Sequence, residues 1–194
     1  LRDAGYEERP FDRHRTAVIC GGAVGSATTE WDVGFHMNAR LVETALASLP
    51  ALREAVPAGA SPEEFAAGVR REILRDRPPI TEDSILGMCS QIGPARLSKA
   101  FDLMGTHMVV NAACASSLAA VAVATQGLRS NKWDVVVTGG VSRANGPLIY
   151  ALMSKCRAMS ATGTRPFDKN ADGILFGEGA VMFVLKRLDD AVAA

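Results

Sequence analysis

The chain has 194 residues and 21 acidic and 21 basic side chains, so it carries no net field to gather nucleic acid and no polybasic run to hold a membrane surface. Its composition, 48% hydrophobic and 22% charged with 18 glycines and few aromatics, suits an α/β protein with tight strand–helix turns better than a sandwich or a coiled coil. No apolar run reaches the length of a bilayer span, and the N-terminus LRDAGYEERP does not read as a signal peptide, so a cytoplasmic protein with reduced thiols is expected.

In chain order, Leu1 to Ala4 closed by Gly5 has the pattern of a last helical turn with a glycine stop. The run TAVIC (16–20) predicts a buried strand ending in Gly21-Gly22. GGAVGSATTEWDVG (21–34) then reads as a loop, and Gly22-x-x-Gly25 falls short of a dinucleotide-binding fingerprint. Phe35 to Leu49 is helical in pattern. A second helix is expected to start at Ser61, where S-P-E-E offers an N-cap, a proline at the first helical position and a glutamate three residues on; it should run to Arg77 and stop at Pro78-Pro79. His107 to Val110 (HMVV) predicts a short strand, NAAC a turn, and Ala115 to Leu128 a small-residue helix able to pack closely on a sheet. DVVVT (134–138) predicts a buried strand ending in Gly139-Gly140, and VMFVL (181–185) another. Strand, helix, strand in that order implies a right-handed parallel crossover.

The four cysteines, Cys20, Cys89, Cys114 and Cys156, are widely and irregularly spaced, which suits neither a zinc site nor a disulfide framework. Cys114 stands apart in VVNAACASSL (109–118), between a strand and the first turn of a helix. A helix N-terminus presents backbone N–H groups without intrahelical partners and a partial positive charge, which suit a thiolate nucleophile. Small neighbours would let a thioester approach, and the cysteine's own N–H can help bind an oxyanion. From the residues alone, a packed core thiol in an alanine-rich helix is the more ordinary reading. For the other three cysteines that reading stands.

Residues 79–118, PITEDSILGMCSQIGPARLSKAFDLMGTHMVVNAACASSL, resemble the nucleophile region of β-ketoacyl synthases of the thiolase superfamily. Further resemblances follow in the family's order: DVVVTGGV (134–141), MSATGTRPFDKNADG (159–173) and GEGAVMFVLKRLDDAV (177–192), with LRDAGY and TAVICGG upstream. The texture is most similar to iterative polyketide and polyunsaturated fatty acid synthases. The resemblance covers residues 1–194 as a partial ketosynthase domain. It implies a thiolase-like layered αβαβα fold, incomplete, mainly the N-terminal half and lacking its first strand.

By the same resemblance, Cys114 matches the nucleophile that accepts an acyl chain from a carrier-protein thioester. Asp172 matches an acidic position near the family's active site, in a supporting role or merely capping a turn, and Glu178 is a weaker candidate in the GEG turn. Ser116 and Ser117 are explained by helix capping. Asn111 and Ala113 stand where many relatives have Asp and Thr. The family's catalytic histidines lie in a C-terminal half that these residues do not include. His14, His36 and His107 lack that context and read as packed or surface side chains.

The implied reaction is decarboxylative Claisen condensation between an acyl-cysteine and malonyl carrier protein. Its partners are acyl carrier protein, acyl and malonyl thioesters and a second copy of the chain, with pairing through about Thr106 to Val110. No metal or redox cofactor is implied, since the substrates ride on phosphopantetheine, and the fragment alone should not condense. Two other readings stay open: a non-catalytic partner protein that shapes chain length, and another thiolase-superfamily acyltransferase.

Overall fold

The computed structural model describes residues 1–6, 10–22, 27–54, 56–142 and 146–193. The chain divides into two compact units, one formed by Leu1–Ala27 with Cys89–Ala194 and the other by Thr28–Met88.

The first unit is organised around one four-stranded sheet. Its strands are β1 (Thr16–Gly21), β2 (His107–Val110), β3 (Val135–Ser142) and β4 (Gly179–Lys186), in the order β2-β1-β3-β4. β2 and β3 both run parallel to β1, and β4 runs antiparallel to β3. The parallel crossover expected from strand, helix, strand is therefore present, and the sheet is mixed but mostly parallel. β1 is buried along its whole length, which is why TAVIC reads as a continuous apolar run instead of an alternating one.

Every predicted strand forms, and two run longer than expected. β3 does not end in Gly139-Gly140 but continues through them to Ser142, because both neighbours keep pairing there: Cys20 and Gly21 stand opposite the two glycines on one side, Met182 and Val181 on the other. β4 likewise extends to Gly179 and Lys186.

The helices are α1 (Ala27–Ser48), α2 (Pro50–Arg53), α3 (Pro62–Ile73), α4 (Ser84–Met88), α5 (Ile92–Ala100), α6 (Ser116–Arg129), α7 (Pro147–Lys155) and α8 (Leu188–Val192). α6 covers one face of the sheet. Its Ala120, Ala124 and Leu128 pack with Ala17, Ile19, Val136 and Trp133. On the other face Val18, Cys20 and Leu103 cluster with Leu97 of α5, Val137 and Met182. The alternation of Ala17 and Ile19 against Val18 and Cys20 is the period-two pattern that sends neighbouring side chains to opposite faces. Small residues along α6 bring its backbone close to the strands, and Gly127 lies so near the Trp133 indole that a Cβ there would enter the ring.

An ionic clamp closes the end of the sheet where the central strands β1 and β3 begin. Asp134 accepts from Arg15 at 2.6 and 3.0 Å and from Arg187 at 2.6 Å. Arg187 also donates to the carbonyls of Leu128 and Trp133, and Arg15 to that of Asn131. The hydrogen bonds from Arg15, then those from Arg187, hold the Asp134 carboxyl down to about 2. A depressed carboxylate stabilises the fold above its unfolded-state pKa, and that contribution is lost as pH falls through its folded value. Asp134→Asn is therefore expected to lower the melting temperature at neutral pH. It should also flatten the loss of stability between about pH 4 and pH 2, followed by thermal melts across that window.

The N-terminal turn is as the sequence suggests. Tyr6 N–H bonds the Leu1 carbonyl and Gly5 N–H that of Arg2, with Gly5 at φ +77°, the pattern of a glycine-stopped helix end.

The second unit is helical. α1 starts at Ala27, so residues 27–34 of the expected loop are helical, and residues 23–26 of that loop lie outside the described residues. Gly34 has open space around it and is tolerated within the helix. α3 opens as expected, with the Ser61 hydroxyl accepting from Glu64 N–H at 3.3 Å and Pro62 in its first turn. It ends at Ile73, four residues before Arg77, and turns lead into Pro78-Pro79. Arg77 lies 4.0 Å from the centre of the Phe35 ring and 3.5 Å from Asp32, while His36 Nε2 is 2.9 Å from the Pro78 carbonyl. Trp31 meets Phe35 edge to face at 5.6 Å. Among the described residues no helix is long and apolar enough to cross a membrane.

Candidate active site

Cys114 lies on the turn between β2 and α6, two residues before the first residue of the helix, and its thiol is exposed. The turn is tightly wound. Asn111 Oδ1 accepts from Ala113 N–H at 3.0 Å, and Ala113 adopts φ +50°, a left-handed conformation. For a residue with a Cβ that conformation costs about 1–2 kcal/mol, so the surrounding bonds must enforce it. Ala115 N–H bonds the Ala112 carbonyl, and Ser116 N–H bonds that of Ala113, both at 3.1 Å.

Capping does not explain Ser116. The N-cap of α6 is Ala115, which has no side chain to offer. The buried Ser116 hydroxyl instead folds back, donating to the Ala113 carbonyl at 2.6 Å and accepting from Ala112 N–H at 2.9 Å. The first turn of α6 thus has no side-chain cap, and its partial positive charge stands beside the cysteine.

Two glycines seat this end of the helix. A Cβ on Gly21 would come within 2.7 Å of the Ser117 Cα, and one on Gly140 within 2.7 Å of the Ser117 Cβ. The end of β1 and the glycine pair of β3 therefore let the helix start descend onto the sheet. Cys114 opens into a cleft of about 720 Å³ on the α6 side, whose apolar wall includes Leu118, Val121, Val181 and Phe183. Sequence reasoning missed this wall. The alternation Val181, Phe183, Leu185 in β4 is the signal that could have found it, since Leu185 packs in the core beneath α6 and the other two continue along the same face.

Asp172 and Glu178 do not line this cleft. Asp172 accepts from Ser160 Oγ at 2.6 Å and Thr162 Oγ1 at 3.0 Å, bonds that hold its carboxyl below the usual range, the Ser160 bond foremost. The structure joins it to the loop that follows Met159, where Ser160 Oγ also accepts from the backbone of Thr162 and Gly163. Glu178 is exposed beside Gly179, which does line the cleft. His14 and His107 are exposed. Among the described residues no group of three or more His, Cys, Asp or Glu side chains is placed to hold a metal ion.

The site is thus an exposed cysteine on a strained strand–helix turn, at the mouth of an apolar cleft. Residues 1–191 match the beta-ketoacyl synthase N-terminal domain, and the chain belongs to that family. Among curated relatives, it is 39% identical over 122 residues to a 6-methylsalicylic acid synthase of Aspergillus niger, a match spanning 62% of this chain and 7% of the relative. It is 43% identical over 105 residues to a phenolphthiocerol/phthiocerol polyketide synthase polypeptide of Mycobacterium tuberculosis, covering 54% and 6%. The chain therefore spans a small fraction of the length of these relatives.

A beta-ketoacyl synthase from Burkholderia phymatum superposes on the whole chain with a TM-score of 0.69 at 23% identity, over 40% of its own length. The ketosynthase from module 6 of the bacillaene synthase of Bacillus subtilis matches 60% of this chain and 22% of its own, with a TM-score of 0.53 at 34% identity. The fold is thus the expected thiolase-like α/β fold, present as part of a ketosynthase domain.

Proposed function

We propose that this chain carries the nucleophile of a ketosynthase that elongates acyl chains in polyketide or fatty acid synthesis. The observation behind this reading is the exposed Cys114 held on its strained turn at the cleft mouth. The Cys114 sulfur attacks the carbonyl of an acyl thioester carried on the phosphopantetheine arm of an acyl carrier protein. The tetrahedral intermediate collapses by expelling the carrier thiol, which takes up the proton given up by the cysteine. The acyl chain lies along the apolar wall of Leu118, Val181 and Phe183. A malonyl thioester then loses carbon dioxide, its enolate carbon attacks the acyl-cysteine carbonyl, and Cys114 leaves as the thiolate, which takes a proton from water.

No metal or redox cofactor enters this scheme. Condensation needs donors that stabilise the enolate, so the 194 residues alone are proposed to load but not to condense. Asp172 supports the reaction through the loop it pins. β2 is one of the two edge strands of the sheet, which allows pairing with a second copy through that edge. A cytoplasmic location accords with such an enzyme. A non-catalytic partner protein would have no use for an exposed cysteine at this position.

Incubation with a hexanoyl-pantetheine thioester and peptide mapping by mass spectrometry should place the acyl group on Cys114. Cys156, also exposed, should stay unmodified. Equal labelling of the two, or none at Cys114, would refute the assignment.

A further inference from the structure

We propose that Ser116 is a positioning residue that holds the nucleophile turn in its reactive shape, an inference that rests on reading Cys114 as the nucleophile. The hydroxyl closes a small ring around the cysteine. It takes the Ala112 N–H at 2.9 Å and gives its proton to the Ala113 carbonyl at 2.6 Å, so it ties the 111–112 peptide to the 113–114 peptide across Ala112 and the strained Ala113. Ser116 is 4% exposed, which leaves little water to replace those bonds. Its main chain cannot drift, because the backbone of Ser116 and Ser117 is seated against Gly21. The cap position, Ala115, has no hydroxyl to share the task. Asn111 Oδ1 holds the Ala113 N–H, but Ser116 is the side chain that ties the main chain before Ala113 to the Ala113 carbonyl, and release of that tie would let Ala113 relax toward an ordinary backbone conformation. Cys114 is the next residue along, so that relaxation turns its sulfur away from the helix start.

The test is a double-mutant cycle on acyl loading of Cys114 in the full-length protein, using a hexanoyl-pantetheine thioester. Ser116→Ala is expected to slow loading about tenfold to a hundredfold with KM for the thioester little changed, since binding along the cleft is untouched and only alignment is lost. Ala113→Gly removes the Cβ that makes the left-handed conformation costly, so the turn holds its shape with less help. In that background the effect of Ser116→Ala should shrink to within about threefold, whereas a residue contributing only general stability would give the same loss in both.

Cys20 is buried and serves as the folding control by its resistance to alkylation. If Ser116→Ala exposes Cys20, Ser116→Thr decides: loading near the wild-type rate supports the latch, and tenfold loss in a folded protein overturns it. Unchanged loading in folded Ser116→Ala, or an equal loss in both backgrounds, also overturns it. Absence of loading on Cys114 in the wild type removes the nucleophile assignment and the latch together.

Discussion

Replacing Cys114 with alanine is expected to abolish acyl transfer while leaving the fold intact. In the proposed mechanism the sulfur forms the covalent bond, and among the described residues Cys114 is the cysteine that lines the cleft: Cys20 is buried in β1, Cys89 is half-buried and Cys156 caps the end of α7. Loss of a covalent nucleophile typically removes at least about 10³-fold of the rate. The side chain is exposed, so stability should move by no more than about 0.5 kcal/mol. Acyl transfer from a pantetheine thioester, measured beside a thermal melt, separates the two effects. Acylation that survives in Cys114→Ala would overturn the mechanism.

Gly21→Ala should damage stability and reactivity together. The new Cβ would lie 2.5 Å from the Ser116 carbonyl carbon and 2.7 Å from the Ser117 Cα, and both are main-chain atoms with no rotamer to escape into. Overpacking of this kind costs about 1–3 kcal/mol, and here the relief available is to lift the start of α6 off the sheet. A melting temperature lowered by several degrees is therefore expected, with slowed Cys114 acylation. Gly34→Ala is the contrasting case. Nothing lies within 4 Å of its added Cβ, and an alanine inside α1 should stabilise by about 0.5–1 kcal/mol. Equal melting temperatures for the two variants would show that the helix start is not seated on Gly21.

TAVIC and VVVT were legible because a central strand buried on both faces reads as a near-continuous β-branched and apolar run, each with a single buried threonine. The antiparallel sense of β4 was not, because alternation of Val181, Phe183 and Leu185 looks the same in either direction. α5 and α7 are short, and neither shows a long apolar period; the proline that opens α7 at Pro147 was the one available signal. At the site, Cys114 could be picked out from its small neighbours and its place before a helix. The role of Ser116 could not, since a serine near a helix start ordinarily caps it, and only the left-handed Ala113 redirects the hydroxyl. Asp172 was drawn from family resemblance, and its bonds to Ser160 and Thr162 depend on how a twelve-residue stretch folds back on itself.

The chain's two tryptophans fall one to each unit, Trp31 in α1 and Trp133 beneath α6. Their surroundings differ: Trp133 is 4% exposed with the Lys132 ammonium 4.9 Å from its ring, whereas Trp31 is half-buried against Phe35. Intrinsic fluorescence is therefore already a two-channel signal. With Trp31→Phe the remaining tryptophan emission comes from the sheet unit alone, so a denaturation curve read by that light follows the scaffold beneath Cys114 without interference from the helical unit.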